Sequence, residues 1–522
     1  MRTVRTRTLP TTLAAVLLTL FSGAPMPGAA APPAALAPTA QEQDDAATWR
    51  ALSRLGYGPT PTLIAQVRQA GDARAWALAA IDTALVVSRQ PAVPTPDMSA
   101  FDQPLPQIFA GVKAAREARR AQRAASGAAT DGPAAASPRH AADIRKNAST
   151  ADQESAESYI KDSVNGAAAW RLAACSQPAL EDPLLARLTE FWFNHLNVSS
   201  DKGANRAFVG HYLLHAIRPH VLGRFEDLLL ASARHPAMLY YLDQAQSAAD
   251  GTMQGERRRG LNENYARELM ELHTLGVDGG YGQQDVRELA RVLTGWTVAP
   301  TQPDGFRFAP RLHDAGAKTV LGQRFGPTNA RDAAAGEAEG RAALHLLATH
   351  PATARRVALR LAQWFVADQP PRALVEQLAR SFTSTQGDLR AVLRTLVQSP
   401  AFWDPAHQLF KTPLDFGCSA LAAVGGPADE RDVRRMLSFL NGAGQGVNRW
   451  PTPDGYKTSA ETWRTPDALT RRADMALALG RRQPDLAWLQ PFLAPATRAR
   501  IAAQPPALQA GLMLASPDFM NK

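Results

Sequence analysis

Apolar residues recur at spacings of three and four along most of the chain, the pattern of helices with one buried face. The stretches "PLLARLTEFWFNHLNV" (183–198), "FEDLLLASARHPAMLYYL" (225–242), "ARRVALRLAQWFVA" (354–367) and "LRAVLRTLVQSPAFW" (389–403) all show it. The pattern first turns helical at Thr48, with Leu52 and Leu55 on one face. Gly56, Gly58, Pro59 and Pro61 break it, and a second amphipathic helix starts with Pro61 in its first turn. Period-2 alternation is rare. "FRF" (Phe306–Phe308), followed after a loop by "KTVLGQRF" (Lys318–Phe325), predicts one small β-hairpin. The expected fold is mostly α: a large multi-helix globular domain with a small β-hairpin near 306–325. No fixed-period repeat is visible.

Three segments depart from that pattern. Residues 1–31 read as an export signal: Arg2, Arg5 and Arg7, then the apolar run "LAAVLLTLF" (Leu13–Phe21), then small residues "GAAA" (Gly28–Ala31). The apolar run is too short for a comfortable membrane span, and no later stretch reaches ~18 uninterrupted apolar residues. A periplasmic or extracellular protein with no transmembrane segment after signal cleavage is expected. Residues 32–44 are Ala/Pro-rich and read as a flexible lead-in to a domain covering 45–522. Residues 124–156 hold almost no large apolar side chain and read as a low-complexity insertion. A fourth segment, Asp243–Gly260, is a long polar loop between two strong helices.

Composition narrows the function classes. The formal charge of +9 includes the three leader arginines, and much of the remainder lies in "KAAREARRAQR" (Lys113–Arg123) and "GERRRG" (Gly255–Gly260). Neither interleaves aromatic residues with the basic ones, so no nucleic-acid partner is expected. Cys175 and Cys418 are the only cysteines. An exported chain permits them to pair, but their spacing does not decide whether they meet. No G-x-S-x-G elbow, P-loop, dinucleotide fingerprint or C-x-x-C occurs.

Candidate chemistry concentrates in "NENYARELMELHTLG" (262–276). Asn262 is a good N-cap and Gly276 a good left-handed stop, so a helix from Glu263 to about Leu275 is predicted. Asn264, Arg267, Glu268 and Glu271 share an arc, beside an apolar arc of Leu261, Tyr265, Leu269 and Leu272. Glu263, Arg267 and Glu271 form an i, i+4, i+8 ladder, an ordinary solvated face worth ~0.3 kcal/mol per pair. Glu268 differs. It has no base three or four positions away, and its i+3 neighbour is Glu271, another acid. Paired acids of this kind suit proton transfer, or a hard divalent cation such as Ca²⁺ as cofactor. Beyond it, Gly282 with Asp285 makes a weakened capping box for a second helix with Val286, Leu289, Ala290 and Leu293 inward.

Several stretches resemble a bacterial family of exported proteins catalogued as domain of unknown function 1800. They are "FWFNHLNVS" (Phe191–Ser199), "HPAMLYYLD" (His235–Asp243), "NENYARELMELHTLGVDGGY" (Asn262–Tyr281), "DVRELARVLTGWT" (Asp285–Thr297) and "HDAGAKTVLG" (His313–Gly322), in the family's order. The resemblance implies no agreed activity. It does imply a partner or shared pathway with an exported alkaline-phosphatase/sulfatase-like protein. It also places His195, His220, His235, His273 and His313 at motif positions, and leaves out His211 and His215, which lack the glutamate of a zinc H-E-x-x-H site. His235-Pro236 reads as a helix-turn device, and His313-Asp314 as a pair in the hairpin loop.

Two functional readings follow. One is an extracytoplasmic hydrolase or lyase in which Glu268, Glu271, His273, His313 and Asp314 carry the chemistry. Asn262, Glu263, Asn264, Arg267, His195 and His235 would then bind and position. The other is a non-catalytic accessory protein, in which the same acids would be buried network residues holding helices in register.

Overall fold

The computed structural model describes residues 39–125, 150–254, 256–329 and 332–522. The expected signal segment, 1–31, lies outside the described residues, as does most of the expected insertion. The helices that position the site are, in chain order, α1 (Ala40–Arg54), α2 (Thr150–Ser176), α3 (Pro183–His195), α4 (Pro236–Tyr241), α5 (Asn264–Glu268), α6 (Gln283–Leu293), α7 (Ala333–Thr349), α8 (Pro351–Phe365) and α9 (Pro413–Ala423). No helix among the described residues is long and apolar enough to cross a membrane.

Two helix starts precede their expected positions. α1 begins at Ala40, inside the expected lead-in, because Thr39 and Glu42 form a reciprocal capping box. α2 begins at Thr150, inside the expected insertion. Both starts are polar, so hydrophobic periodicity cannot announce them.

Three antiparallel strand pairs punctuate the helices: β1 (Met253–Gln254) with β2 (Arg257–Arg258), β3 (Trp296–Val298) with β4 (Phe306–Phe308), and β5 (Lys318–Val320) with β6 (Gln323–Phe325). A hairpin does lie within 306–325, but its partners differ from those expected. Phe306–Phe308 pairs backwards, Trp296 opposite Phe308, and "KTVLGQRF" is a complete hairpin by itself. Leu321 (φ 50) and Gly322 (φ 79) form its two-residue turn. Two consecutive positive-φ residues match the twist of the flanking strands, so this short loop closes without a longer connection. β1 and β2 give local structure to the Asp243–Gly260 segment, which was expected as a plain loop.

The core has two parts. The larger gathers fully buried Trp192, Tyr212, Tyr265, Leu269 and Trp296 from α3 to β3. The smaller collects Phe416, Met436, Leu440, Leu514 and Phe519 from the C-terminal third. Two links join them. Arg187 of α3 pairs with Asp415 of α9, both buried. A disulfide joins Cys175 at the end of α2 to Cys418 of α9, across 243 positions.

Candidate functional site

The acidic helix starts one residue later than expected, at Asn264, with Glu263 in the cap position and no side-chain bond from it, and then departs from regularity. The Asn262 side-chain oxygen accepts the Asn264 N–H at 3.0 Å just ahead of α5. After Glu268 the backbone widens into a π-turn, Leu269–His273. Gly276 then closes it at φ 86, its N–H bonded to the Met270 carbonyl at 3.1 Å. Single π-turns free carbonyl groups from the regular ladder and concentrate at functional sites. Here side chains from elsewhere meet three of those carbonyls or their neighbours. Thr274 Oγ1 donates to the Leu269 carbonyl at 2.6 Å, Arg356 Nε of α8 to the Leu272 carbonyl at 2.9 Å, and His195 Nε2 of α3 to the His273 carbonyl at 3.0 Å.

The π-turn carries Glu268 and Glu271, both partly buried. Neither makes a hydrogen bond or ion pair with any described residue. Burial, the neighbouring Glu271 and Asp454 all push the Glu268 carboxyl above its ordinary value of 4.5, and Arg267 only partly offsets them. Arg267 is otherwise engaged. It bridges Glu263 at 3.2 Å and Gln283 at 3.0 Å on the exposed side. The solvated-ladder reading therefore holds for Glu263 and Arg267 and fails for the two acids beyond them.

Asp454 arrives on a loop that α3 clamps. Asn194 receives the Tyr456 N–H at 2.7 Å and donates to the Tyr456 carbonyl at 3.0 Å, in the manner of a strand pair. Asn197 donates to the carbonyls of Trp450 (3.2 Å) and Thr452 (2.7 Å), and Tyr241 at the end of α4 donates to that of Pro451 (2.8 Å). At Gly455 (φ 70) a Cβ would lie 2.1 Å from the Asn194 carbonyl oxygen, so only glycine permits this approach. Burial works against ionising Asp454, but hydrogen bonds from Lys457, Thr452 and Trp450 outweigh it and hold the carboxyl below its ordinary value.

Two cations of α8 face these acids. Arg356 and Arg360 are an i, i+4 pair, both partly buried. Burial lowers both, Arg360 to about 10, while Glu271 acts back on Arg356 and Asp454 on Arg360. Tyr281 senses the same group: burial and Glu271 raise it, Arg267 and Arg356 lower it, and Glu268 raises it again. No ion pair closes between these arginines and these acids. Opposite charges ~4 Å apart near a protein surface attract by about 4 kcal/mol. Glu271 and Arg356, and Asp454 and Arg360, thus act on each other through space and not through a direct ion pair. All five side chains remain partly exposed, so the group opens to solvent. Two surface clefts, of about 600 and 580 Å³, are lined by none of them.

The structure does not bring the other expected residues into this group as reacting side chains. His273 and His195 are buried behind it, His273 lowered to about 3 by burial and by Arg356, and His195 lowered by burial, then by Arg356, Arg360 and His273. Both are uncharged near neutral pH; the His195 ring serves the backbone, and the buried His273 Nε2 has no hydrogen-bond partner among the described residues. His235 caps α4, its Nδ1 accepting the Ala237 N–H at 3.1 Å and its Nε2 meeting His211 Nδ1 at 2.9 Å. His350-Pro351 repeats the capping device at α8. His313 and Asp314 follow β4 and pack on α6 and α7. His313 Nδ1 donates to the Thr294 carbonyl at 2.9 Å and its Nε2 lies 3.0 Å from Glu339, which also binds Lys318 at 2.6 Å. Asp314 makes a two-point contact with Arg291, at 2.7 and 3.2 Å. These are polar ties between secondary elements, made without Glu268 or Glu271. Asn264 donates to the Leu242 carbonyl at 3.2 Å and is likewise structural. Among the described residues no group of three or more His, Cys, Asp or Glu side chains is arranged to hold a metal ion.

Arg356, Arg360, Tyr281 and Asp454 were not singled out in the sequence. Arg356 and Arg360 carry the same mark that exposed Glu268: like charges one helical turn apart, with no opposite charge three or four positions away. Asp454 carries none, because Lys457 at i+3 gives it an ordinary local partner.

Fold and site together define a mostly α-helical protein in which a π-turn carries two glutamates that have no bonding partner among the described residues and is braced by Arg356 of α8. The sequence profile of the family described as "Protein of unknown function (DUF1800)" matches residues 50–521, nearly the whole chain. The protein belongs to that family. No curated protein and no solved structure matches it.

Proposed function

We propose that the protein is an extracytoplasmic enzyme, a hydrolase or lyase, that works through the carboxylates of Glu268 and Glu271. The observation that carries this reading is that both acids are partly buried, adjacent and without a protein partner. A purely structural network would have used them. Glu268 keeps its proton to higher pH than a free glutamate and is the proton donor. Glu271, facing the Arg356 charge, is the proton acceptor. Tyr281 lies among the same charges and orients the reacting group. His195 and Arg356 position the π-turn through its carbonyls. The disulfide supports a site of action in an oxidising compartment, and the group's openness to solvent suits a polymer better than an engulfed small molecule.

The test is a screen of the purified protein against cell-envelope and environmental polymers, reading released ends or unsaturated products. Glu268→Gln and Glu271→Gln should each lower the turnover found by about a hundredfold or more, the ordinary worth of a positioned acid or base. Turnover that survives both changes, or none on any polymer, speaks against the enzyme.

A further inference from the structure

Arg360 is a half-buried arginine one helical turn from Arg356, which braces the π-turn. Burial lowers six arginines: Arg50, Arg54, Arg171, Arg356, Arg360 and Arg472. Five have a hydrogen-bond acceptor. Arg50 reaches the Trp403 carbonyl, Arg54 the Phe402 carbonyl, Arg171 Asn448, Arg356 the Leu272 carbonyl and Arg472 the Lys411 carbonyl. Arg360 alone makes no hydrogen bond or ion pair with any described residue.

A guanidinium carries five N–H donors in a fixed fork that matches a planar or tetrahedral oxyanion. Leaving such a group partly desolvated and unbonded is costly, and the usual remedy is a carboxylate from the protein. Here the carboxylate that acts on Arg360, Asp454, is held back. Asp454 is committed to Trp450 (2.8 Å), Thr452 (2.6 Å) and Lys457 (2.8 Å). Arg356 spends only its Nε on the Leu272 carbonyl, so its two terminal nitrogens stay free on the same face, one turn away.

We propose that Arg356 and Arg360 form a subsite for an oxyanion carried by the substrate, a carboxylate, sulfate or phosphate group, next to the glutamate pair. This rests on the catalytic reading of Glu268 and Glu271 and adds the substrate's chemical class: an anionic polymer. The arginines hold the charged substituent while the scissile bond lies over the glutamates. Glu271 and Asp454 set a repulsion that an oxyanion overcomes by engaging both guanidiniums, as free sulfate, phosphate or a uronate can.

The test needs no turnover. Thermal unfolding and calorimetric titration of the full protein are run with sodium sulfate, inorganic phosphate and glucuronate, each against sodium chloride at matched ionic strength. At least one oxyanion should raise the midpoint saturably where chloride does not. Arg360→Gln should weaken that binding tenfold or more, and Arg360→Lys, which keeps the charge and loses the fork, should fall between. Glu271→Gln should tighten it by removing repulsion. Arg360 bonds to nothing described, so its variants should keep the wild-type midpoint without ligand, whereas Arg356→Gln also removes the bond to the π-turn. The subsite is refuted if no oxyanion saturates, if the response is an ionic-strength effect only, or if Arg360→Gln binds as wild type. Such a failure leaves the glutamate chemistry standing, and a turnover indifferent to Glu268→Gln with intact anion binding would do the reverse.

Discussion

At the scale of single residues, the account turns on which polar atoms are satisfied. Glu263, Arg267, Asp314 and His313 all find partners within the protein, while Glu268, Glu271 and Arg360 find none. Gly455 shows how the site depends on a position with no side chain at all. Replacing it with alanine puts a methyl group against the Asn194 carbonyl and an L-residue at φ 70. Gly455→Ala should destabilise the protein by roughly 1–3 kcal/mol in urea unfolding, and should lower any turnover by displacing Asp454. An unchanged midpoint would mean that the loop accommodates the methyl group, and the clamp would not be rigid. The acid pair was legible in the sequence because a missing counter-charge is a local property. The matching arginines were equally legible, since Arg356 and Arg360 violate the same rule. Asp454 was not, since its relation to Glu268 exists only after nearly 200 intervening residues have folded.

At the scale of elements, the motif "FWFNHLN" serves as a clamp. Asn194, His195 and Asn197 end α3 and reach two different parts of the site, the Trp450–Tyr456 loop and the π-turn. Periodicity predicted α3 itself, but which backbone groups its polar end would satisfy was beyond a one-dimensional pattern. The π-turn was likewise hidden, because five residues of widened helix leave the apolar spacing of Leu269 and Leu272 unaltered. The misassigned hairpin has a local cause: two positive-φ residues, Leu321 and Gly322, close it, and leucine gives no turn signal. If the clamp reading holds, Asn194→Ala leaves the Tyr456 N–H and carbonyl without their partner. It should cost about 1–3 kcal/mol and render the 448–456 loop sensitive to protease in the native state. Loop cleavage no faster than in wild type would remove the clamp from the account.

At the scale of the whole molecule, the buried charge pattern sets the response to acid. His195, His211, His235 and His273 are buried and lowered far below 6.5, His211 and His273 to about 3. A histidine that stays neutral in the fold and protonates freely when unfolded contributes nothing to pH dependence above 6.5. Below it the unfolded state gains protons first, so stability falls as pH drops from about 6.5 towards 3. Urea midpoints measured from pH 6.5 down to pH 4 should therefore decline. A flat profile throughout would contradict the burial of these rings. Glu268 runs the other way: its raised value means that the fold holds its proton longer than the unfolded chain does, so ionising it at neutral pH is a small cost that disappears as pH falls towards 4.5. The same sign governs the central claim, that Glu268 and Glu271 are kept for chemistry against the interest of stability. The most direct measurement is the thermal unfolding of the Glu268→Gln/Glu271→Gln double variant at neutral pH. The account predicts a midpoint equal to or above that of the wild type, with any gain fading as the pH is lowered towards 4.5. A midpoint several degrees lower would show that the two glutamates hold the fold together, and would contradict it.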